Sequence, residues 1–306
     1  MAIKYYFLLI LTCLFWAGNF VFSKSLVDHA SPVTLTTLRW ITALVCLLPV
    51  VWYKRKLVLP VKAIFPVVLM GITGVMLFNI LQFKALEHTS ATNVGLISTL
   101  NMISIAFFSF LFLKERISLY QFSAMILSLT GVVLVLSKGK VEYLTSLHFN
   151  VGDVWMLAAV FIWGIYTICT KWALKNTSVL TATFYSAIFG LIFILPINIP
   201  DFKVINVDGM FFITILYTGM ISTVLCMILW NVCVQKIGPT TSGVSLNLNP
   251  VFTALLAFMF LGENITFIQI TGGGIVITGC LLFSILKKKE RSKLERLDNT
   301  GNDLYH

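Results

Sequence analysis

Polar and aromatic side chains that could bind a solute recur at helical spacing inside long apolar runs of this sequence. In the first run they follow i, i+4, i+7 and i+11 spacing, which places four side chains on one face of a helix: Thr12, Trp16, Asn19 and Ser23. The same spacing returns 147 residues later at Ala159, Trp163, Tyr166 and Thr170. These stripes combine hydrogen-bonding groups with an aromatic ring, so they indicate noncovalent binding of a small molecule.

Asparagine and serine residues on another pair of runs are further candidates. Ser98 and Asn101 share one helical face, and the matching face 148 residues later carries Ser242, Ser245, Asn249 and Thr253. An asparagine amide both donates and accepts, so it can hold either end of a zwitterion without a buried charge. Pro250 lets this helix bend and frees carbonyls near Asn249. For any single residue, a hydrogen bond between two helices is an equally good explanation.

Weaker candidates lie toward the ends of two other runs, where Gln82 and Trp230 occupy repeat-equivalent positions with Asn79 and Asn231 nearby. The predicted binding residues are therefore Trp16, Asn19, Asn79, Gln82, Ser98, Asn101, Trp163, Tyr166, Trp230, Ser245 and Asn249.

Charged residues within or beside the apolar runs have both structural and functional interpretations. Arg39 lies about two turns inside its run, which favours either an anion site or a structural ion pair, for example with Glu263. Glu115 and Glu263 fall in turns and are predicted to cap the helices that follow, with a proton relay as the alternative. Lys24 and Lys171 end their helices and are predicted to snorkel toward an interface.

No set of residues indicates catalysis, a metal site or a cofactor. The four histidines lie in or beside turns or at the chain end, and the six cysteines lie in apolar runs without a C-x-x-C pair. The sequence contains no phosphate-binding loop, nucleotide motif or H-E-x-x-H. We therefore expect no enzymatic activity, no metal and no cofactor.

The runs that carry these residues are long enough to cross a membrane. Hydrophobic residues make up 58% of the 306 residues, only 11% are charged, and the mean hydropathy is +0.94, which excludes an ordinary soluble globular protein. Runs of about 20 residues, the length that crosses a hydrocarbon core, predict an all-α integral membrane protein with ten spans. These are 5–27, 33–53, 63–83, 91–113, 118–137, 152–174, 179–198, 209–234, 240–261 and 266–286.

Two interpretations change once the runs are taken as membrane spans. The first run follows Lys4 but is too long for a signal-peptide core, so we expect it to be retained as a helix. Trp16 and Trp163 could belong to the aromatic belt at the membrane surface. Both lie near the middle of their spans, which favours a cavity wall instead.

An internal duplication relates the two halves of the chain. Residues 92–131 and 240–279 align at a shift of 148, which matches Gly95 with Gly243, Asn101 with Asn249, Glu115 with Glu263 and Gln121 with Gln269. Each half has five spans, an odd number, so the second half enters the membrane from the opposite face as an inverted repeat. The predicted domains are a first repeat at 1–140, an inverted second repeat at 150–287 and a basic polar tail at 288–306. We expect the tail to prolong the last helix and then become disordered.

The basic residues predict the orientation and exclude a nucleic-acid partner. The face that holds both termini carries 16 of the lysines and arginines and the opposite face 5, so the net charge of +10 reflects membrane topology. Both termini are therefore predicted to be cytoplasmic, and the basic tail is predicted to anchor at anionic headgroups. The tenth span contains Gly272, Gly273, Gly274 and Gly279, which are predicted to pack within the bundle, with a homodimer seam as the second interpretation.

The order of these features resembles the drug/metabolite transporter superfamily, EamA-like branch. Each half has a tryptophan-glycine opening that ends in lysine, and each has F-L-x-E followed by glutamine and glycine. The openings are Phe15-Trp16-Ala17-Gly18 and Ile162-Trp163-Gly164. Arg39 in the second span adds to the resemblance, which covers residues 5–286. It implies a secondary transporter or exporter of small metabolites, often amino acids, in the bacterial inner membrane, with a central cavity between the halves.

The halves have diverged, since Arg39 has Ser186 at its repeat position and Lys114-Glu115-Arg116 becomes Gly262-Glu263-Asn264. We expect export of a neutral or zwitterionic metabolite by alternating access, through a cavity walled by spans 1, 3, 4, 6, 8 and 9. A multidrug-cation antiporter would need a carboxylate near mid-span, and none is present. A nucleotide-sugar carrier would need several cavity lysines or arginines, and only Arg39 is available. A membrane receptor stays open, because fold does not fix function.

Overall fold

Ten membrane crossings make up the computed structural model, which describes residues 3–55, 57–137, 150–261 and 265–302. Six crossings are single helices: Ile3–Leu26, Pro32–Tyr53, Leu119–Ser137, Val151–Ala173, Val179–Asn198 and Phe267–Asn302. Among the described residues, nine helical segments are long and apolar enough to cross a membrane. The tenth crossing is the ninth span, which consists of two shorter helices. The predicted ten-span, all-α fold is confirmed.

The third and eighth spans each contain a π-helical stretch that the apolar pattern does not predict. The third consists of Val61–Met70, the π-helix Gly71–Leu77 and Phe78–His88, and the eighth of Gly209–Leu216, the π-helix Tyr217–Leu225 and Cys226–Ile237. A π-helical turn leaves carbonyls without their usual partners. Asn79 Nδ2 donates to the Gly74 carbonyl at 2.8 Å, and Thr223 Oγ1 donates to the Thr218 carbonyl at 2.8 Å. Polar side chains thus stabilise both irregular stretches.

The fourth and ninth spans are broken at equivalent positions. The fourth consists of Ala91–Ser98 and Asn101–Leu113, and the ninth of Pro239–Ser245 and Leu248–Leu261. The ninth was predicted to bend near Asn249 and Pro250, but the break lies earlier, at residues 246–247. The reason is that Pro250 has no N–H for the Leu246 carbonyl, which accepts instead from the Asn249 amide at 3.0 Å.

Contacts between the halves follow the inverted repeat. The first helix packs against the eighth and ninth spans, and the sixth packs in the same way against the third and fourth. The second span contacts the eighth as the seventh contacts the third, and the fifth span pairs with the tenth. Spans 1 and 6, which carry the two predicted stripes, are therefore surrounded by helices from the opposite half.

Gly272, Gly273 and Gly279 of the tenth span are buried within the bundle, as predicted, whereas Gly274 is exposed and the prediction is wrong for it. A Cβ atom on Gly279 would lie 2.6 Å from the Ser128 amide nitrogen of the fifth span, and one on Gly131 would lie 2.6 Å from the Val276 nitrogen. Backbones approach this closely only where small residues face each other. Gly272 and Gly279 are therefore used inside one chain, and the homodimer seam remains an untested prediction.

The two end-of-helix lysines hydrogen-bond neighbouring helices, which corrects their assignment to snorkelling. Lys24 Nζ donates to the Thr89 carbonyl at 3.2 Å, and Lys171 Nζ donates to the Gln235 carbonyl at 3.1 Å. Each ammonium therefore lies at the carbonyl end of a span, where the helix dipole favours a positive charge. The two halves make this contact at opposite faces of the bundle.

Glu115 also has a different partner from the predicted one. Its Oε2 accepts from Thr240 Oγ1 at 2.7 Å, at the start of the ninth span, and does not cap the fifth span. That helix is capped by Ser118 and Gln121, whose side chains each bond the other's backbone N–H. The equivalent pair in the second half is Thr266 and Gln269. Short hydroxyls satisfy the first amides of a helix well, which explains their preference here over the glutamate.

Candidate functional site

A central cavity of about 50 Å³ lies between the two halves. All six spans predicted to wall it contribute, and the second span adds Arg39 and Trp40. Eight of the predicted binding residues line it: Trp16, Asn19, Asn79, Gln82, Ser98, Asn101, Trp163 and Asn249. The breaks in the fourth and ninth spans lie beside it, since Ser98 and Asn101 flank one break, while Leu246 lies in the other and Asn249 follows it.

Three predicted residues are not among those that line the cavity. The Tyr166 hydroxyl donates to Asn231 Oδ1 at 2.9 Å, behind the wall. Trp230 is fully buried, with its ring centroid 5.8 Å from that of Trp163. Ser245 Oγ bonds the Thr241 carbonyl of its own helix at 3.4 Å. The structure gives these side chains supporting positions.

A cluster of aromatic rings forms the apolar part of the wall. Trp16 and Trp163 meet edge to face, with centroids 5.5 Å apart and an interplanar angle of 82°. The Phe78 ring lies 4.6 Å from that of Trp163. Trp163 is only 4% exposed, so the two repeat-related tryptophans pack against each other inside the bundle. This arrangement differs from an aromatic belt at the membrane surface.

Ser222 connects the polar part of the wall and was not predicted. Its backbone carbonyl accepts from Trp16 Nε1 at 2.9 Å, and its hydroxyl donates to Asn19 Oδ1 at 2.9 Å. The same hydroxyl accepts from Arg39 Nη2 at 3.1 Å, while Arg39 Nε donates to Thr223 Oγ1 at 2.6 Å. The first, second and eighth spans are thereby joined at one serine.

Arg39 is buried in this network with two neutral hydroxyls as its hydrogen-bond partners. Glu263, predicted both as a cap and as a partner for Arg39, lies outside the described residues. A cation in a protein interior is costly unless it is paired. Among the described residues that line the cavity, no Asp, Glu or Lys accompanies Arg39, so its charge gives the wall a positive character.

Several buried polar atoms on the cavity wall have no hydrogen-bond partner among the described residues. Four are donors: Arg39 Nη1, Trp40 Nε1, Gln82 Nε2 and Trp163 Nε1. Two are acceptors, Asn101 Oδ1 and Asn249 Oδ1, from the repeat-equivalent asparagines. Buried polar groups are normally paired, so such a concentration on one wall needs an explanation. A ligand that accepts at one end and donates at the other would satisfy both sets.

Some wall residues were missed because their signals are weak. Ser222 and Thr223 are short hydroxyl residues in an apolar run, where serine and threonine also occur for helix packing. Their position opposite Arg39 depends on the π-helical stretch at 217–225, which changes the helical phase. Phe20, Trp40 and Met227 are apolar and could not be distinguished from lipid-facing residues in the sequence.

Comparison with known proteins agrees with this architecture. The EamA-like transporter family model matches residues 3–137 and 150–285, which is once in each half. An uncharacterized transporter of Archaeoglobus fulgidus is 30% identical over 282 residues, covering 91% of this chain and 96% of that protein. A crystal structure with 18% identity superposes with a TM-score of 0.74 and covers 94% of this chain and 98% of that one, which shows the fold alone.

Two further relatives have names that include a solute. An S-adenosylmethionine/S-adenosylhomocysteine transporter of Chlamydia trachomatis serovar L2 is 24% identical, covering 90% of this chain and 88% of that protein. A probable terminal-alkyne amino-acid exporter of Streptantibioticus cattleyicolor is 25% identical and covers 71% of this chain and 72% of that protein. The chain is therefore a multi-span membrane transporter of small molecules rather than an enzyme. It belongs to the EamA-like transporter family, within the drug/metabolite transporter superfamily.

Proposed function

We propose that this transporter exports small neutral or zwitterionic metabolites, above all amino acids or their derivatives, by alternating access through the central cavity. The observation that carries the proposal is the set of unpartnered donors and acceptors on the cavity wall, beside an aromatic surface. The donors suit a carboxylate or carbonyl, the asparagine oxygens suit an ammonium group, and the rings suit an apolar side chain. The solutes in the names of two relatives are amino acids or their derivatives, which supports this class.

Other solute classes fit the wall less well. A nucleotide sugar carries at least two phosphates, whereas the described lining offers one cationic side chain, Arg39. A lipophilic cation would be repelled by Arg39 and would find no carboxylate there. We propose in addition that both termini face the cytoplasm at the plasma membrane and that the repeats occupy 1–140 and 150–287, with a tail at 288–306.

Expression of the transporter in bacterial cells is expected to confer resistance to toxic amino-acid analogues. The measurement is growth across a panel of analogues, with cells that carry an empty vector as the reference. Resistance to analogues, but not to lipophilic cationic dyes, supports the proposal. Resistance to the dyes alone contradicts it.

Transport is expected to proceed without a pH gradient. The described cavity wall has no Asp or Glu that a proton could share with the substrate, so substrate binding should not require proton release. The measurement is uptake of an amino acid into liposomes that contain the purified protein, with and without an imposed pH difference. Equal initial rates are expected. Uptake of a cationic dye that depends strictly on the gradient contradicts the proposal.

A further inference from the structure

Arg39 gives the first half of the chain a cationic side chain on the cavity wall that the second half lacks at the equivalent position. It is 5% exposed, its Nε and Nη2 are held by the hydroxyls of Thr223 and Ser222, and its Nη1 has no partner among the described residues. Two of its nitrogens are thus fixed to the eighth span, while the third is buried without a partner in a residue of the cavity wall. A guanidinium matches the planar geometry of a carboxylate better than any other side chain. The repeat-equivalent position is Ser186, so the opposite half supplies no second cation.

The acceptors on the wall, in contrast, come from both repeats. Asn101 and Asn249 are repeat-equivalent, they follow the two helix breaks, and each has an unpartnered Oδ1. A pair of neutral amide oxygens suits an ammonium group, because it accepts hydrogen bonds without the full charge that would bind an inorganic cation. Arg39, Asn101 and Asn249 all line this one cavity.

We propose that Arg39 binds the carboxylate of the transported solute and that the amide oxygens of Asn101 and Asn249 bind its ammonium group. This inference rests on the proposed function and narrows it, because it makes a free carboxylate a requirement for recognition. Trp40 Nε1 provides a second donor beside Arg39 on the same span. An amino acid whose carboxylate is replaced by a carboxamide loses its attraction to the guanidinium, while its side chain and ammonium group are unchanged.

The test measures the unfolding temperature of the purified protein with increasing concentrations of an added ligand. The ligands are valine, leucine, isoleucine, methionine and phenylalanine, each compared with its carboxamide. We expect at least one acid to bind, and its carboxamide to bind roughly 10- to 100-fold more weakly, the loss typical of one hydrogen bond to a charged group. Arg39→Gln is expected to remove this preference, and Arg39→Lys to keep part of it. Glu263→Gln is the control for a purely structural ion pair and should leave the preference unchanged.

The outcomes separate this inference from the proposed function. If acids and carboxamides bind equally, or if Glu263→Gln abolishes the preference as Arg39→Gln does, the carboxylate assignment is overturned while amino-acid binding stands. If neither acids nor carboxamides bind, both proposals are overturned. The wild-type comparison needs no variant, so the test holds even where Arg39→Gln does not fold.

A second feature concerns the path out of the cavity. A neighbouring pocket of about 70 Å³ shares Phe20 and Asn249 with the cavity and extends along Gly95 and Thr253. Gly95 lies near the start of the fourth span, on the face opposite the termini, and a Cβ there would meet no atom within 4 Å. The space beside the repeat-equivalent Gly243 is filled, since a Cβ there would lie 3.1 Å from Ile105 Cδ1.

We infer that this pocket is the open half of the transport path, by which solute leaves toward the face opposite the termini. Inverted repeats provide two equivalent half-paths, and alternating access exchanges their conformations. In the exchanged state Gly243 would face open space and Gly95 would pack against Thr253, the residue that corresponds to Ile105 at the shift of 148. Phe20 lies on the wall of both spaces, between the cavity and the exit.

Filling the open half-path should block transport. Gly95→Phe is expected to reduce transport of an amino acid into liposomes at least about tenfold while the protein stays folded, because its ring occupies the space that the solute needs. Gly274→Phe is the matched control, since a Cβ on Gly274 also meets no atom within 4 Å but the residue does not line the pocket. If Gly95→Phe transports the amino acid at the wild-type rate, the inference is overturned.

Accessibility provides an independent measurement. A membrane-impermeant methanethiosulfonate added on the face opposite the termini should label Gly95→Cys faster than Gly243→Cys, after subtraction of labelling at the native cysteines. Equal labelling of the two variants overturns the inference as well.

Discussion

We expect transport to fall below detection when Trp163 is replaced by alanine. Its ring contacts those of Trp16, Phe78, Tyr166 and Trp230, and its Nε1 is an unpartnered donor on the cavity wall. Trp163→Ala removes the donor and the apolar surface together, and large-to-small changes in a packed region cost about 3–5 kcal/mol. If that loss appears in solute binding, transport decreases more than about 100-fold. The measurement is amino-acid transport in liposomes at equal amounts of folded protein.

Conservative variants separate a binding role from a packing role. Trp163→Phe keeps an aromatic ring and loses the N–H, and we expect a decrease of about tenfold, typical of one lost hydrogen bond. Trp230→Phe is the matched control, because Trp230 is fully buried beside it, also has an unpartnered Nε1 and does not line the cavity. The control should transport at nearly the wild-type rate. Equal losses in both variants contradict a solute contact by Trp163.

The largest expected effect on stability is at Gly279, in the contact between the fifth and tenth spans. A leucine there would force the two helices apart, because its Cβ would lie 2.6 Å from the Ser128 amide nitrogen and 2.8 Å from Ser128 Cα. Overpacking of a close contact costs about 1–3 kcal/mol, and here the neighbouring atoms are backbone, which cannot rotate away. We expect Gly279→Leu to lower the unfolding temperature in detergent and to reduce the fraction of monodisperse protein.

Gly274→Leu is the control for this second variant. Gly274 is exposed on the same helix, and a Cβ there meets no atom within 4 Å. The unfolding temperature of Gly274→Leu should match that of the wild type. A similar decrease in both variants would show that leucine affects the helix itself rather than the contact with the fifth span.

Much of the fold could be predicted from the sequence because lipid imposes simple rules. A span needs about 20 apolar residues, so composition alone indicates the number of crossings. Five spans in each half then require inversion, whatever the local structure. The π-helical stretches at 71–77 and 217–225 could not be predicted in this way, because they depend on tertiary contacts. One such contact is at Gly74, where an added Cβ would lie 2.2 Å from the ring of Tyr166.

The candidate site was predictable where polar residues occur in both repeats. Asn101 and Asn249 stand out in sequence for that reason, and both line the cavity. Tyr166 lies on the same helical face as Trp163 but does not line the cavity, because its hydroxyl donates to Asn231 on the eighth span. Ser222 could be recognised only once its backbone and side-chain partners were known. Periodicity predicts which face of a helix is polar, whereas the partner helices determine which side chains reach the cavity.

The central claim is that the cavity carries amino acids or their derivatives across the membrane. The most direct measurement is counterflow, in which liposomes containing purified protein and a high internal concentration of an unlabelled amino acid take up the labelled form. We predict a transient accumulation above protein-free liposomes for at least one amino acid. Asn249→Ala should abolish it at an equal amount of folded protein. No accumulation for any amino acid by the folded wild-type protein would contradict the account.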